Sequence, residues 1–130
     1  MKSIVKFPLF LALLTVVMLL TAAKTAEPAA WSDWIPIKDG YQNLLSYRYQ
    51  HLNERAIQFE VKNDYDQDAK FYLEINTRWD WLPYGKEVDY VYGNFKVDAR
   101  QIFTQPIRGS QVIGVKVKNL VLRESVNPPL

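Results

Sequence analysis

Three aspartates at alternating positions are the first residues whose spacing suggests chemistry. Asp64, Asp66 and Asp68 stand two residues apart, which is how a calcium-binding loop begins. The rest of that motif is missing, because Ala69 stands where the loop needs glycine and Ile75 where it needs the closing glutamate. A polar turn explains the same residues, since Asp and Asn favour turn conformations. We therefore expect a turn here and no metal site.

Catalytic groups are sparse. His51 is the only histidine and the chain has no cysteine, so a Ser-His-Asp site would depend on His51, and a zinc site lacks ligands. Glycoside hydrolysis needs paired carboxylates, for which the candidates are Glu60, Glu74, Asp80 and Glu87. Glu60 and Glu74 fall at outward strand positions near cations such as Lys62, as on a solvated sheet face. We expect no enzyme and no cofactor; a small glycan-active hydrolase is the alternative.

Residues 78–85 form a loop rich in aromatic rings. The segment reads Arg-Trp-Asp-Trp-Leu-Pro-Tyr-Gly, and its Pro and Gly favour a turn. Aromatic rings with a polar edge provide large contact areas at low entropic cost. The candidate binding residues are Trp79, Asp80, Trp81, Tyr84 and, from the adjoining sheet, Tyr92. The alternative is that the loop rings cap an open end of the core.

The elements that position this loop are short strands. Apolar residues recur at every second position in residues 44–50, 56–62 and 69–77, which predicts half-buried antiparallel strands. The predicted inward residues are Leu45, Tyr47, Tyr49, Ile57, Phe59, Val61, Phe71, Leu73 and Ile75. The polar turn at residues 63–68 predicts a hairpin between the last two strands. Tyr72, Tyr90 and Tyr92 are expected on an outward face, where they would extend the aromatic surface.

Four further runs complete the strand pattern. Residues 31–37 contain Pro36, which predicts an edge strand, and residues 87–97 bend at Gly93 and Asn94. Residues 100–105 form a short strand that ends at Pro106, and residues 111–123 slip phase at Asn119, which predicts a bulge. The pattern predicts an all-β fold: a small antiparallel sandwich of the immunoglobulin or fibronectin type, with about seven strands.

A family resemblance supports that fold. Its residues are Trp34, Gly40, the run Tyr47-Arg48-Tyr49, the run from Phe59 to Asn63, and Phe71-Tyr-Leu73. The pattern resembles the opening of immunoglobulin-like domains in exported bacterial proteins. The resemblance covers residues 31–77 and implies the sandwich fold, and it carries over no catalytic residue.

The first residues of the chain have the pattern of an export signal. Lys2 and Lys6 precede an uncharged run over residues 7–23 that ends in small residues. We expect a helical signal segment at 1–23, a flexible spacer at 24–30, the sandwich domain at 31–124 and a tail at 125–130. An uncleaved anchor is the alternative, and it would be the chain's one contact with a membrane. The absence of cysteine excludes a lipoprotein anchor and disulfides, which favours a bacterial periplasmic or secreted protein.

Charge argues against a polyanionic partner. Removing Lys2 and Lys6 leaves 14 basic residues against 14 acidic ones, and the signs alternate without a cluster along the sequence. We therefore expect no nucleic-acid partner. Together these features predict a non-catalytic binding module of the cell envelope or secreted space, with a protein or a glycan as partner. A carbohydrate-binding domain is the alternative.

The export signal makes the first testable prediction. We expect the protein recovered from outside the cytoplasm to begin at Lys24, because cleavage after Ala23 places small residues where the peptidase requires them. Intact-mass measurement of the exported protein identifies the first residue, and Leu13→Arg in the apolar run serves as the export-blocked control. Full-length protein that begins at Met1 and stays in the membrane fraction would identify an anchor instead.

Overall fold

The computed structural model describes residues 29–125, and every regular element in that range is a β-strand. The seven strands are β1 (Ile35–Ile37), β2 (Leu45–Asn53), β3 (Ala56–Asn63), β4 (Asp68–Trp79), β5 (Lys86–Val97), β6 (Ile102–Arg108) and β7 (Gln111–Arg123). The all-β prediction and its strand count are confirmed. The predicted signal segment, most of the spacer and the tail beyond Ser125 lie outside the described residues.

The strands form two antiparallel sheets. The first has the order β1-β2-β3-β6 and the second has the order β5-β4-β7. Strand β1 contains Pro36 and pairs only with β2, so the predicted edge strand is confirmed. In constant-type immunoglobulin domains the second and third strands lie in different sheets. Here β2 and β3 pair with each other, so the strand order differs from the immunoglobulin order.

The core lies between the sheets and contains the alternate residues that the sequence pattern predicts to face inward. Leu45, Ile57, Phe59, Val61, Phe71, Leu73 and Ile75 are buried, and Tyr47 and Tyr49 pack against them. Burial of one such aliphatic or aromatic side chain contributes about 1.5–3 kcal/mol. These alternating residues are therefore the main source of stability for the sandwich.

The predicted hairpin between β3 and β4 is wrong, because the two strands belong to different sheets. The chain crosses between the sheets at the buried Asn63, whose Nδ2 lies 2.9 Å from the Gln67 carbonyl oxygen and 3.0 Å from that of Val97. Asn63 Oδ1 accepts a hydrogen bond from the Tyr65 N–H at 2.8 Å. An amide that bonds to both sides of the crossing favours an arch over a tight hairpin. We call residues 63–67, which lead from β3 to β4, the Asn63 arch. The hairpins are instead β2–β3 and β4–β5.

The Tyr65 hydroxyl connects the same arch to the loop after β1 by hydrogen bonds. The Tyr65 hydroxyl donates to Asp39 Oδ2 at 2.6 Å and accepts from the Gln42 N–H at 3.1 Å. The other Asp39 oxygen accepts from the N–H groups of Tyr41 and Asn43. Burial and the hydrogen bond to Asp39 raise the pKa of Tyr65 above its usual 10.0. Asp39 and Tyr65 therefore hold the first loop against the arch.

Bulges shift the register of two strands of the second sheet. The register of β5 shifts opposite Phe71 and Leu73, beside the predicted bend at Gly93 and Asn94. The register of β7 shifts at Asn119, which has a φ of 58°, so the predicted bulge is confirmed. A second shift of the β7 register lies opposite Asn76 and Thr77, and the adjacent Ile113 is 49 % exposed.

Several strand limits also differ from the sequence-based prediction, and β1 covers only Ile35–Ile37 of the predicted residues 31–37. Strand β6 continues through Pro106 to Arg108, which is possible because β6 is an edge strand and the missing N–H faces no partner. Strand β2 continues through His51 to Asn53, so only Glu54 and Arg55 separate it from β3.

The Tyr65 network predicts a loss of stability in alkali. Tyr65→Phe removes a buried donor and should lower the free energy of unfolding at neutral pH by about 1–3 kcal/mol. The folded chain keeps the Tyr65 proton above pH 10 while the unfolded chain releases it, so the wild type loses stability as the pH rises past that value. The gap between wild type and Tyr65→Phe should therefore narrow above pH 10 in urea unfolding. A gap that does not change with pH would contradict this assignment.

Candidate functional site

The aromatic loop is the β4–β5 hairpin connection, and we define it as residues 78–85. It lies at the end of the sandwich away from the Asn63 arch, beside the β2–β3 and β6–β7 turns. Asp80 Oδ1 accepts a hydrogen bond from Arg78 Nε at 2.7 Å, and the Asp80 N–H donates to Ser110 Oγ at 2.9 Å. The base of the loop is therefore fixed to the β6–β7 turn.

The two tryptophans of the loop stack on each other. The ring centroids of Trp79 and Trp81 are 4.8 Å apart, with an angle of 23° between the ring planes. Trp79 Nε1 donates to the buried Thr77 hydroxyl at 3.2 Å, and the Arg55 guanidinium lies 5.6 Å from the centre of the Trp81 ring. Both rings are half-buried. Each indole thus covers a face of the other, which stiffens the loop.

Tyr84 is the exposed tip of the aromatic loop. The Gly85 N–H bonds to the Leu82 carbonyl oxygen at 3.0 Å and closes a four-residue turn around Pro83 and Tyr84. Tyr84 has a φ of 69°, and the combination of Pro second and positive φ third is typical of a type II turn, which prefers glycine at that third place. The Tyr84 side chain is 103 % exposed. The chain thus places a large aromatic ring at a strained, fully solvated position.

Ser110 joins the three turns beneath the loop. Its N–H donates to the Arg78 carbonyl oxygen at 2.7 Å, and its hydroxyl lies 3.4 Å from the Glu54 carbonyl oxygen. His51 Nε2 donates to the Ser110 carbonyl oxygen at 2.8 Å. The neighbouring Gly109 is buried, and a Cβ there would lie 3.2 Å from Thr77. Tight packing and hydrogen bonds therefore hold the loop in one position.

Tyr92 and Tyr90 do not extend this surface, and the prediction that they face outward is wrong. Both rings pack against the core from β5. The Tyr90 hydroxyl donates to the Arg108 carbonyl oxygen at 3.0 Å, and the Tyr92 hydroxyl accepts from Gln105 Nε2 at 2.8 Å. These hydroxyls form hydrogen bonds with residues of the edge strand β6. The two tyrosines of β5 therefore connect the second sheet to the first. Burial raises the pKa of Tyr92. Tyr72 does face outward, as predicted.

The acidic turn at residues 64–68 turns its carboxylates in different directions. Asp64 lies 3.5 Å from Lys62 Nζ, and Asp66 forms an ion pair with Arg100. Asp68 Oδ1 accepts a hydrogen bond from the Ala99 N–H at 2.8 Å. Within residues 29–125, no group of three or more His, Cys, Asp and Glu side chains is arranged to hold a metal ion.

Three of the four candidate hydrolytic carboxylates, Glu60, Glu74 and Asp80, take part in other contacts. Glu60 is only 8 % exposed; its two oxygens bond to Arg48 Nε at 2.6 Å and to the Thr104 hydroxyl at 2.7 Å. Glu74 accepts a hydrogen bond from the Tyr72 hydroxyl at 3.2 Å. The expectation that Glu60 is a solvated residue is wrong, because Arg48 and Thr104 cover it.

A second aromatic cluster was not predicted. The Arg48 guanidinium lies 4.5 Å from the centre of the Trp31 ring and 4.4 Å from that of Trp34, on the outer face of the first sheet. Lys62 Nζ lies 4.5 Å from the Trp34 ring. The signal in the sequence was the spacing Trp-x-x-Trp just before an edge strand, which puts two indoles near one cation.

This cluster anchors the start of the described chain. The Ser32 N–H bonds to the Tyr49 carbonyl oxygen at 2.9 Å, and the Ala29 N–H bonds to that of His51 at 3.2 Å. The segment before β1 therefore continues along the free edge of β2. Because Arg48 and Lys62 already contact the rings of the cluster, we regard the cluster as a structural element and not as a binding site.

No family model, curated protein or solved structure matches this chain. Assignment of a function therefore depends on the geometry of the aromatic loop and of the faces of the two sheets.

Proposed function

We propose that the protein is an exported, non-catalytic binding module that recognises a partner protein through the aromatic loop. One observation carries the proposal: Tyr84 is fully exposed and has positive φ in a turn that prefers glycine at that place. A tyrosine there costs stability, of the order of 1–3 kcal/mol for a strained backbone. Within residues 29–125 the Tyr84 side chain forms no hydrogen bond or ring contact that would offset this cost, so a role in recognition explains why tyrosine occupies the tip.

The support around Tyr84 fits protein recognition. Rigid aromatic anchors surrounded by polar groups are typical of binding hot spots. The loop offers the exposed Tyr84 together with the Arg78–Asp80 ion pair, whose guanidinium lies beside Gly85. Pre-organisation lowers the entropic cost of binding. The hydrogen bonds of Ser110 to the loop supply that pre-organisation.

A carbohydrate-binding domain fits the loop less well. Sugar rings stack on open aromatic faces, but Trp79 and Trp81 each cover a face of the other. The Asp80 carboxylate, which would bond to sugar hydroxyls, is paired with Arg78 Nε at 2.7 Å. Glycan binding is therefore an outcome for the experiment to separate.

The proposed compartment depends on the sequence of residues 1–23, which lie outside the described structure. The cationic start, the apolar run and the small residues before Lys24 support export. In the described part of the chain there is no helix that is long and apolar enough to cross a membrane.

Substitution of Tyr84 tests the proposal. Tyr84→Gly should leave the free energy of unfolding unchanged or raise it by up to about 1 kcal/mol, because glycine adopts positive φ without strain. Binding should weaken by roughly 30-fold or more, the loss expected for a hot-spot residue. The measurement is binding of the labelled protein to extracytoplasmic extract, with and without protease treatment, and to a glycan array.

Tyr41→Ala is the matched control, because Tyr41 is also an exposed tyrosine but lies in the loop before β2. The proposal predicts binding to protease-sensitive material that survives Tyr41→Ala and is lost with Tyr84→Gly. Equal binding by the wild type and Tyr84→Gly would refute it. Binding confined to the glycan array would assign the loop to carbohydrate instead.

A further inference from the structure

The outer face of the second sheet carries a cluster of cations that the linear sequence does not show. Lys70 on β4 lies directly opposite Lys96 on β5, and Tyr72 and Glu74 lie opposite Lys118 and Lys116 on β7. Like charges at directly opposed positions destabilise a sheet. The alternation of signs along the sequence is therefore no guide to this face, because pairing between strands gathers the cations.

Several cations of this face form no ion pair with another residue of the range 29–125. In the range 29–125, neither Lys70 nor Arg123 forms an ion pair or a side-chain hydrogen bond. Arg123 lies opposite Asp68 in the β4–β7 register, but the Asp68 carboxylate bonds to the Ala99 N–H instead. Lys96 differs, because it lies 3.6 Å from Asp98 and 3.9 Å from Asp68. Lys116 and Lys118 also form no ion pair within residues 29–125, so Lys70 and Arg123 are two of four unpaired cations on this face.

The bulges of β5 and β7 form a hollow between these two cations. We call it the basic hollow; it has a volume of about 260 Å³, and its lining includes Lys70, Tyr72, Asn94, Asn119 and Arg123. No carboxylate lines it. Two amide side chains and the Tyr72 ring border the cations, and Lys118 Nζ lies 5.8 Å from the centre of that ring.

A larger hollow adjoins it. This second hollow, of about 480 Å³, shares Lys70, Asn94 and Arg123 with the basic hollow and adds Asp68, Ala69, Lys96 and Glu124. Its carboxylates make it electrically mixed. A ligand with an anionic group in the basic hollow would therefore have room for a polar remainder next to it.

We propose that the basic hollow binds a phosphate group, either free or carried as the headgroup of a lipid. A phosphate group carries a charge of about −1.5 to −2 at neutral pH and several acceptor oxygens. Two unpaired cations therefore suit a phosphate ligand better than a ligand with a single carboxylate. An Arg guanidinium binds phosphate with two parallel hydrogen bonds, and a Lys ammonium acts as a point charge. The side-chain amides of Asn94 and Asn119 supply further donors. This site is separate from the aromatic loop and does not depend on the proposed function.

Titration with inorganic phosphate tests the site in the full chain. We expect saturable shifts of the backbone amide signals of Asn94 and Asn119 in NMR spectra at constant ionic strength, with chloride as the reference anion. Lys70→Gln should weaken binding roughly tenfold, as expected when one charge-assisted contact is lost. Lys70→Gln should also unfold at an equal or higher urea concentration, because the repulsion from Lys96 disappears.

The matched control is Lys86→Gln, which removes one exposed lysine at the far end of β5. Flotation with phosphatidylcholine vesicles, with and without phosphatidylglycerol, separates the two sources of phosphate. If inorganic phosphate binds and Lys70→Gln weakens that binding, the ligand is a free phosphate. If the protein floats with the vesicles and Lys70→Gln weakens that association, the ligand is a lipid headgroup. No saturable response to either probe, or equal responses from the Lys70 and Lys86 variants, would overturn the proposal.

Discussion

The buried amide of Asn63 is the interaction on which the arrangement of the two sheets depends. Its Nδ2 lies within 3.3 Å of the carbonyl oxygens of Gln67, Val97 and Asp98, and its Oδ1 accepts from the Tyr65 N–H. These groups belong to the arch after β3 and to the end of β5. A buried backbone group without a partner costs about 1–3 kcal/mol, so this one side chain stabilises the crossing from sheet to sheet. The loop after β1 joins it through Asp39 and Tyr65.

The aromatic loop lies at the end of the sandwich opposite the Asn63 arch. The second sheet begins with Asp68 in β4, and β4 ends with Trp79 at the other end of the molecule. Ser110 and Thr77 form hydrogen bonds with the loop there, while Tyr84 remains in solvent. The buried arch and the exposed Tyr84 thus lie at opposite ends of the sandwich, and the bulges that shape the basic hollow lie on a separate face.

Local patterns in the sequence predicted the strands, but contacts between distant strands decided the rest. Alternation identified Ile57, Phe59 and Val61 as core residues, because period two follows from the pleat alone. The arch escaped prediction because a polar turn of six residues fits a hairpin equally well. The sequence pattern predicted Tyr90 and Tyr92 on an outward face, but β6, which is distant in the sequence, provides hydrogen-bond partners for both hydroxyls. The immunoglobulin-like relationship stays a prediction, and the strand order does not follow that pattern.

Urea unfolding of Asn63→Leu tests the central claim most directly. Leucine keeps the buried volume but removes the donors and the acceptor, so the variant should lose at least about 3 kcal/mol of unfolding free energy. Asn94→Ala, at an exposed site, should change it by no more than about 0.5 kcal/mol. Amide hydrogen exchange at Tyr65 should also become faster in Asn63→Leu. A variant within about 0.5 kcal/mol of the wild type, with Tyr65 still protected, would show that the arch does not need the Asn63 amide.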